Sequence, residues 1–179
     1  MKKTILIFGL ISGALISLMM GVTVPFQDKL GHGYLIGYTT IVLSMLLSFF
    51  GIRSYRDKVG NGRITFGKAF AVGISITIIS CIFYVVTWEI IYFNFMPDFM
   101  DKYGAQVLQK MQDSGATAAA IQSKAAELKK LKELYANPFY NAAMTFMEPF
   151  PVGLVITLIS AAVLRRNPQS QSSQSPVVA

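Results

Sequence analysis

Phe146–Arg166 reads FMEPFPVGLVITLISAAVLRR, an apolar run that holds one carboxylate, two prolines two residues apart, a small-residue stripe at Gly153, Thr157 and Ala161, and a closing arginine pair. Such a run belongs in a lipid bilayer, where a single crossing segment has to satisfy its own backbone as a helix. Glu148 is costly at that depth, and Pro149 and Pro151 each remove a backbone donor. The segment therefore needs neighbouring helices to support it.

The rest of the chain supplies those neighbours. Of 179 residues, 53% are hydrophobic and 14% charged, and the apolar residues fall in long runs, which is the pattern of an integral membrane protein of one domain. The net charge of +7 comes from Lys and Arg placed beside the apolar runs, with no interleaved aromatic platform, so membrane topology explains it and nucleic-acid binding is not indicated. The single cysteine, Cys81, lies inside an apolar run, so neither an internal disulfide nor a cysteine-based metal site can be built. No cofactor motif is present.

Lys2 and Lys3 precede an apolar run from Thr4 to Val24, 21 residues long, which exceeds the roughly 7 to 15 residues of a signal-peptide core. The run is therefore an uncleaved first span at 4–24. Gly9, Gly13, Ser17 and Gly21 recur every four residues in it, a stripe that lets another helix approach closely. Pro25–His32 is a short polar turn holding Asp28, Lys29 and the only histidine, and one histidine makes no metal site. A second span follows at 33–52.

Arg53, Arg56, Lys58, Arg63 and Lys68 face the single acid Asp57 in the next connection, with Asn61-Gly62 marking a turn. By the positive-inside rule this connection is cytoplasmic. The N-terminal lysines and Arg165-Arg166 agree with it, because four spans bring both termini to the same side. The connection lacks a glycine-rich cradle before a helix, so its sequence does not point to a phosphate site. The third span, 67–96, gathers Trp88, Glu89, Tyr92 and Phe93 toward its far end. Trp88 and Tyr92 then read as an interfacial aromatic belt, and Glu89, about 31 Å from Lys68 at ~1.5 Å per residue, as a carboxylate near the outer boundary.

The segment 97–138 is the one large polar stretch. Phe99, Tyr103, Val107 and Met111 form one helical stripe and Ile121, Ala125, Leu128, Leu131 and Tyr135 a second, with Ser114-Gly115 between them. Six lysines against five acids nearly cancel in this stretch. The expected form is an outer helical hairpin at the membrane surface. The fourth span, 139–164, carries Glu148, which at the same rise lies about 25 Å from Arg165 and within roughly 6 Å in depth of Glu89. If the helix runs through both prolines, the carbonyls of Thr145 and Met147 lose their donors beside the Glu148 carboxylate, an arrangement suited to a proton or a cation. If a helix instead begins near Pro149 or Pro151, proline in its first turn is favourable and Glu148 complements its positive end. Gly153, Thr157 and Ala161 offer a natural surface for the first span's glycines. Residues 167–179, NPQSQSSQSPVVA, are expected to form a disordered cytoplasmic tail.

Three segments together, ITFGKAFAVG at Ile64–Gly73, YFNFMPDFMDKY at Tyr92–Tyr103 and the closing FMEPFPVGLVITLISAAVLRR, resemble the bacterial membrane proteins grouped as the DUF4199 family, a domain of unknown function common in Bacteroidetes. The likeness runs from the first span to Arg166. It implies four spans with a long connection before the last one, and it implies no activity, ligand or catalytic residue.

The fold expected is all-α: an integral four-helix bundle in the bacterial inner membrane, with both termini cytoplasmic and the hairpin outside. Its partners are the lipid bilayer and, through the small-residue stripes, a second copy or another membrane protein. A non-enzymatic packing or interaction role accounts for the most residues, since Ser, His and Asp are not gathered in any nucleophile motif. The alternative is a small transporter or ion-conducting subunit working through Glu89 and Glu148.

Overall fold

The structure is a computed structural model that describes residues 1–24 and 33–166; the polar turn 25–32 and the tail 167–179 named above lie outside the described residues. The elements are α1 (Lys2–Thr23), α2 (Gly33–Met45), α3 (Leu47–Lys58), α4 (Phe66–Phe95), α5 (Phe99–Asp113), α6 (Ala118–Tyr135), α7 (Pro138–Phe146) and α8 (Pro149–Leu164). Four helical runs are long and apolar enough to cross a membrane: Lys2–Thr23, Leu35–Lys58, Phe66–Phe95 and Pro138–Leu164. All four expected spans are therefore present.

The second run is longer than its apolar residues require, because the helix continues through Arg53 and Arg56 to Lys58 before it turns. The turn uses Asn61 at φ 49° and Gly62 at φ 79°, left-handed values that glycine and asparagine adopt at least cost. The same run breaks at Leu46. There the Ser12 hydroxyl of α1 donates to the Ser44 carbonyl at 2.7 Å, and the Phe49 N–H bonds the Leu46 carbonyl, three residues back instead of four. A side chain inserted into a helix ladder is a recognised cause of such breaks.

The contacts divide the chain into two compact units, Met1–Tyr84 with Glu148–Ala179, and Val85–Met147. In the first unit α1, α2, α3, the first part of α4 and α8 pack side by side. Ile52, Ile64, Ala69, Val72, Ile76, Ala161 and Leu164 form its buried apolar cluster. Lipid is as apolar as these side chains, so helices in a bilayer are held by close contact and hydrogen bonds and not by the hydrophobic effect. The glycines show where that contact is made. A Cβ on Gly9 would lie 2.9 Å from Ile79 Cδ1, and one on Gly13 would lie 2.6 Å from Phe83 Cγ, so two side chains of α4 sit in the two notches of α1. Ser17 continues this line, with its Oγ 3.5 Å from the Phe83 carbonyl. Gly21 does not, since nothing among the described residues lies within 4 Å of where its Cβ would be.

The stripe of α8 meets a different face. A Cβ on Gly153 would stand 2.4 Å from Thr77 Cγ2, one on Gly73 would stand 2.7 Å from Thr157 Cγ2, and the Thr77 and Thr157 hydroxyls are 3.1 Å apart in a hydrogen bond. The expected pairing of Gly153, Thr157 and Ala161 with the glycines of the first span is thereby corrected. Gly153 and Thr157 pack on α4, and Ala161 is buried in the apolar cluster. The reason is that α4 carries its own small stripe, Ala69, Gly73, Thr77 and Cys81, all buried. Outward-facing side chains such as Leu18 and Val163 are 66% and 69% exposed, as a lipid-facing surface requires.

In the second unit α5 and α6 form the expected hairpin. Gly115 at φ 75° allows the turn, and the Thr117 hydroxyl accepts the Ala120 N–H to cap α6. Gly104 faces Leu128, one residue round from the Phe99–Met111 stripe, and Met100 and Leu128 are buried. Lys102 lies 2.9 Å from Asp98 one turn earlier and holds that carboxyl below the usual carboxylate range. Asn137 ends one helix and starts the next, its side chain accepting the N–H groups of Phe139 at 2.9 Å and Tyr140 at 3.4 Å.

Gly13→Ala forces Phe83 to move and is expected to cost about 1–3 kcal/mol of stability. Gly21→Ala meets open space and, replacing glycine by a better helix former, should cost nothing. Thermal unfolding of the two variants in the same detergent measures the contrast.

Candidate polar site

The chain between α7 and α8 answers the question that Pro149 and Pro151 posed. α7 stops at Phe146, and the Met147 N–H bonds the carbonyls of Ala143 and Thr145. α8 then begins at Pro149, with both prolines in its first turn, where a missing N–H costs nothing. The helix does not run through, and the Thr145 carbonyl has a donor. Of the two arrangements that the sequence left open, the structure has the helix start at Pro149. Pro149 is fully packed and Pro151 exposed. Glu148 occupies the residue before α8 without capping it through its side chain, and its carboxylate instead accepts a hydrogen bond from the Tyr84 hydroxyl at 2.7 Å. That bond ties α4 to the start of α8 within the first unit. It fixes one oxygen of Glu148 while the residue as a whole stays exposed.

Glu89 belongs to the second unit. Its Oε1 is buried with no hydrogen-bond partner among the described residues, an arrangement that costs free energy wherever it occurs. Around the same stretch of α4 stands an aromatic cluster. Trp88 packs edge-on against Phe99 at 5.1 Å between ring centres and beside Tyr92 at 5.8 Å, and Tyr92 in turn lies 6.5 Å from Tyr135. The Trp88 indole N–H donates to Asn141 Oδ1 at 3.0 Å. The expected interfacial belt is thus corrected for these two residues. Trp88 spends its polar edge on a protein partner, and Tyr92 is 6% exposed.

Asn141 is the centre that sequence reasoning missed. It is fully buried, takes the Trp88 N–H, accepts the Thr145 hydroxyl at 3.2 Å, and donates to the Tyr135 carbonyl at 3.4 Å. The signal was available: an amide inside the fourth apolar run has to find partners in the protein. A second group was also missed. Ser12, Ser44 and Ser48 are completely buried in the first unit, and the Oγ atoms of Ser44 and Ser48 have no partner among the described residues. Among the described residues no three His, Cys, Asp or Glu side chains gather as metal ligands would.

A family model described as "Protein of unknown function (DUF4199)" matches residues 7–166. No curated protein and no solved structure matches the chain.

Asn141→Ala leaves the Trp88 N–H and the Thr145 hydroxyl without their acceptor, and about 1–3 kcal/mol of stability should go with it. Because Trp88 is the only tryptophan, its fluorescence reports the site directly. The variant should shift the emission maximum and lower the unfolding midpoint, whereas an unchanged spectrum would show that the bond does not form.

Proposed function

The chain belongs to the DUF4199 family, and from that premise we propose that it is a non-enzymatic multi-pass membrane protein, a packed helical scaffold whose α5–α6 hairpin is the surface that meets a partner. One observation carries this reading: Gly9, Gly13, Gly73 and Gly153 are each filled by a side chain of the same chain. These four small-residue positions are taken up in building the bundle, although Gly21 and Gly37 are not, and most of the surface left for a second protein lies elsewhere. The hairpin offers such a surface. Among the residues of its two helices only Met100, Gly104 and Leu128 are buried, and its ion pairs, Asp98–Lys102, Lys124–Glu127 and Asp101–Lys132, are accessible. Following the positive-inside rule, we place Arg53–Lys68 and Arg165-Arg166 in the cytoplasm, the hairpin on the opposite side, and the protein in a bacterial inner membrane.

A second reading, a small transporter or ion-conducting subunit that uses Glu89 and Glu148, has its own observation in the unpartnered Oε1 of Glu89.

Replacing 105–127 by a short Gly-Ser linker, which keeps Phe99 and Tyr135, should leave the spans folded and abolish co-purification of any membrane partner that the full chain retains. Retention of that partner would remove the hairpin from the account. Liposomes holding the full chain should pass no protons or monovalent cations above empty vesicles. A flux that falls at least tenfold in both Glu89→Gln and Glu148→Gln would favour the second reading instead.

A further inference from the structure

Beyond the scaffold role, one place in the first unit is built for an anion. The connection after α3 does not run free but folds into a fixed wall. Gly60 N–H bonds the Tyr55 carbonyl at 3.0 Å, Gly62 N–H the Arg56 carbonyl at 3.0 Å, and Arg63 N–H the Gly60 carbonyl at 2.9 Å. A Cβ on Gly60 would lie 2.1 Å from the Arg63 carbonyl oxygen, so only glycine permits this turn. Ile64 and Arg166 then exchange both backbone hydrogen bonds, at 3.2 and 2.9 Å, in an antiparallel bridge that pins the end of α8 beside the start of α4. Between the turn and α4 is a cavity of 290 Å³, lined by Tyr55, Gly60, Arg63, Thr65 and Lys68 among others.

The two charged residues that line this cavity, Arg63 and Lys68, are both cations. Asp57 is the only acid in the connection, and Arg53 and Arg56 already engage it, Arg56 at 2.7 Å. Arg63, Lys68 and Arg165 form no salt bridge among the described residues, while Arg166 acts on Asp57 from beyond contact distance. Arg63 and Lys68 line one cavity, and a bound anion relieves the repulsion between them. The position fixes which anion. Lys68 is in the first turn of the long apolar α4, and Arg165-Arg166 follow the last residue of α8, so the cavity opens at the end of the spans, at the level of lipid headgroups. At the first turn of α4 the Thr65 hydroxyl accepts the Lys68 N–H at 3.5 Å, which leaves its own O–H, with that of Tyr55, to face the cavity.

We propose that this cavity binds the phosphate of an anionic phospholipid headgroup, with Arg63 and Lys68 as its charged ligands. The proposal rests on the membrane reading above. It differs from diffuse attraction to a negative surface, because the turn and the bridge hold the cations in place before the lipid arrives.

The full chain, reconstituted in phosphatidylcholine bilayer discs containing one-tenth phosphatidylglycerol, tests it by native mass spectrometry of the lipids that stay bound as detergent strips the rest. Phosphatidylglycerol should be retained in preference to phosphatidylcholine. Arg63→Gln/Lys68→Gln should weaken that retention on the order of tenfold or more, whereas Arg53→Gln, outside the cavity, should not. Lys68→Arg, which keeps the charge, should retain the lipid and shows that a loss in the double variant is not misfolding. Equal retention of both lipids, or an unaffected double variant, overturns the proposal. Stabilisation by soluble glycerol phosphate at matched ionic strength but not by phosphatidylglycerol would overturn the lipid assignment in favour of a soluble phosphate ester. Failure of the chain to enter the discs at all would count against the membrane reading itself and is seen separately, before any lipid is counted.

Discussion

Thr77 and Thr157 meet at 3.1 Å between two glycines, Gly73 on one side and Gly153 on the other, and the first unit depends on that close approach of α4 to α8. In lipid an apolar side chain gains nothing by leaving its solvent, so a bundle must be held by distance: backbones near enough for dense van der Waals contact, and hydroxyls near enough to bond. Each glycine is a notch and each β-branched or aromatic residue opposite it a tooth. α4 is the element that engages in both directions. It offers Ile79 and Phe83 to the notches of α1, Thr77 to the notch of α8, and its own Gly73 to Thr157. Removing a tooth leaves a void that lipid cannot enter, and adding a methyl group to a notch pushes two helices apart.

The polar groups follow the same rule. Ser75 and Ser80 return their hydroxyls to carbonyls one turn back, at 2.7 and 2.9 Å, and so cost the bundle little. Ser12 does something else by reaching across to the Ser44 carbonyl, and the second run bends there. In the second unit Asn141 plays the equivalent part, binding three groups from α4, the end of α6 and α7 at once. Buried amides with every partner present fix one arrangement of helices, because any other leaves them unpaired.

Much of this was legible in the sequence, and the failures share one cause. The four apolar runs, the Asn61-Gly62 and Ser114-Gly115 turns and the hairpin stripes are local patterns, and local patterns survive folding. The stripes at Gly9–Gly21 and Gly153–Ala161 announced that a face is used but not by what, since Ile79 and Phe83 look like any other apolar residues of a span. The small stripe of α4 was readable at its spacing of four but was masked by the length of the run around it. The break after Ser44 and the inward turn of Trp88 are set by Ser12 and Asn141, 32 and 53 positions away along the chain, and no short window of sequence contains both halves. At the fourth span the prolines announced both possible outcomes, and packing selected the helix start. For the carboxylates, sequence gave depth alone. That Tyr84 claims Glu148, and that one oxygen of Glu89 is left buried without a partner, are facts of side-chain placement.

A double-mutant cycle between Gly153→Ala and Thr77→Ser tests the close approach most directly. The new Cβ at 153 would meet Thr77 Cγ2 at 2.4 Å, and serine removes that methyl group while keeping the hydroxyl for Thr157. Gly153→Ala alone should cost about 1–3 kcal/mol in thermal or denaturant unfolding, and Thr77→Ser in the same chain should restore at least half of it. If Gly153→Ala is harmless, or if Thr77→Ser adds to the loss instead of relieving it, α4 and α8 do not meet at these residues and the packing account is wrong.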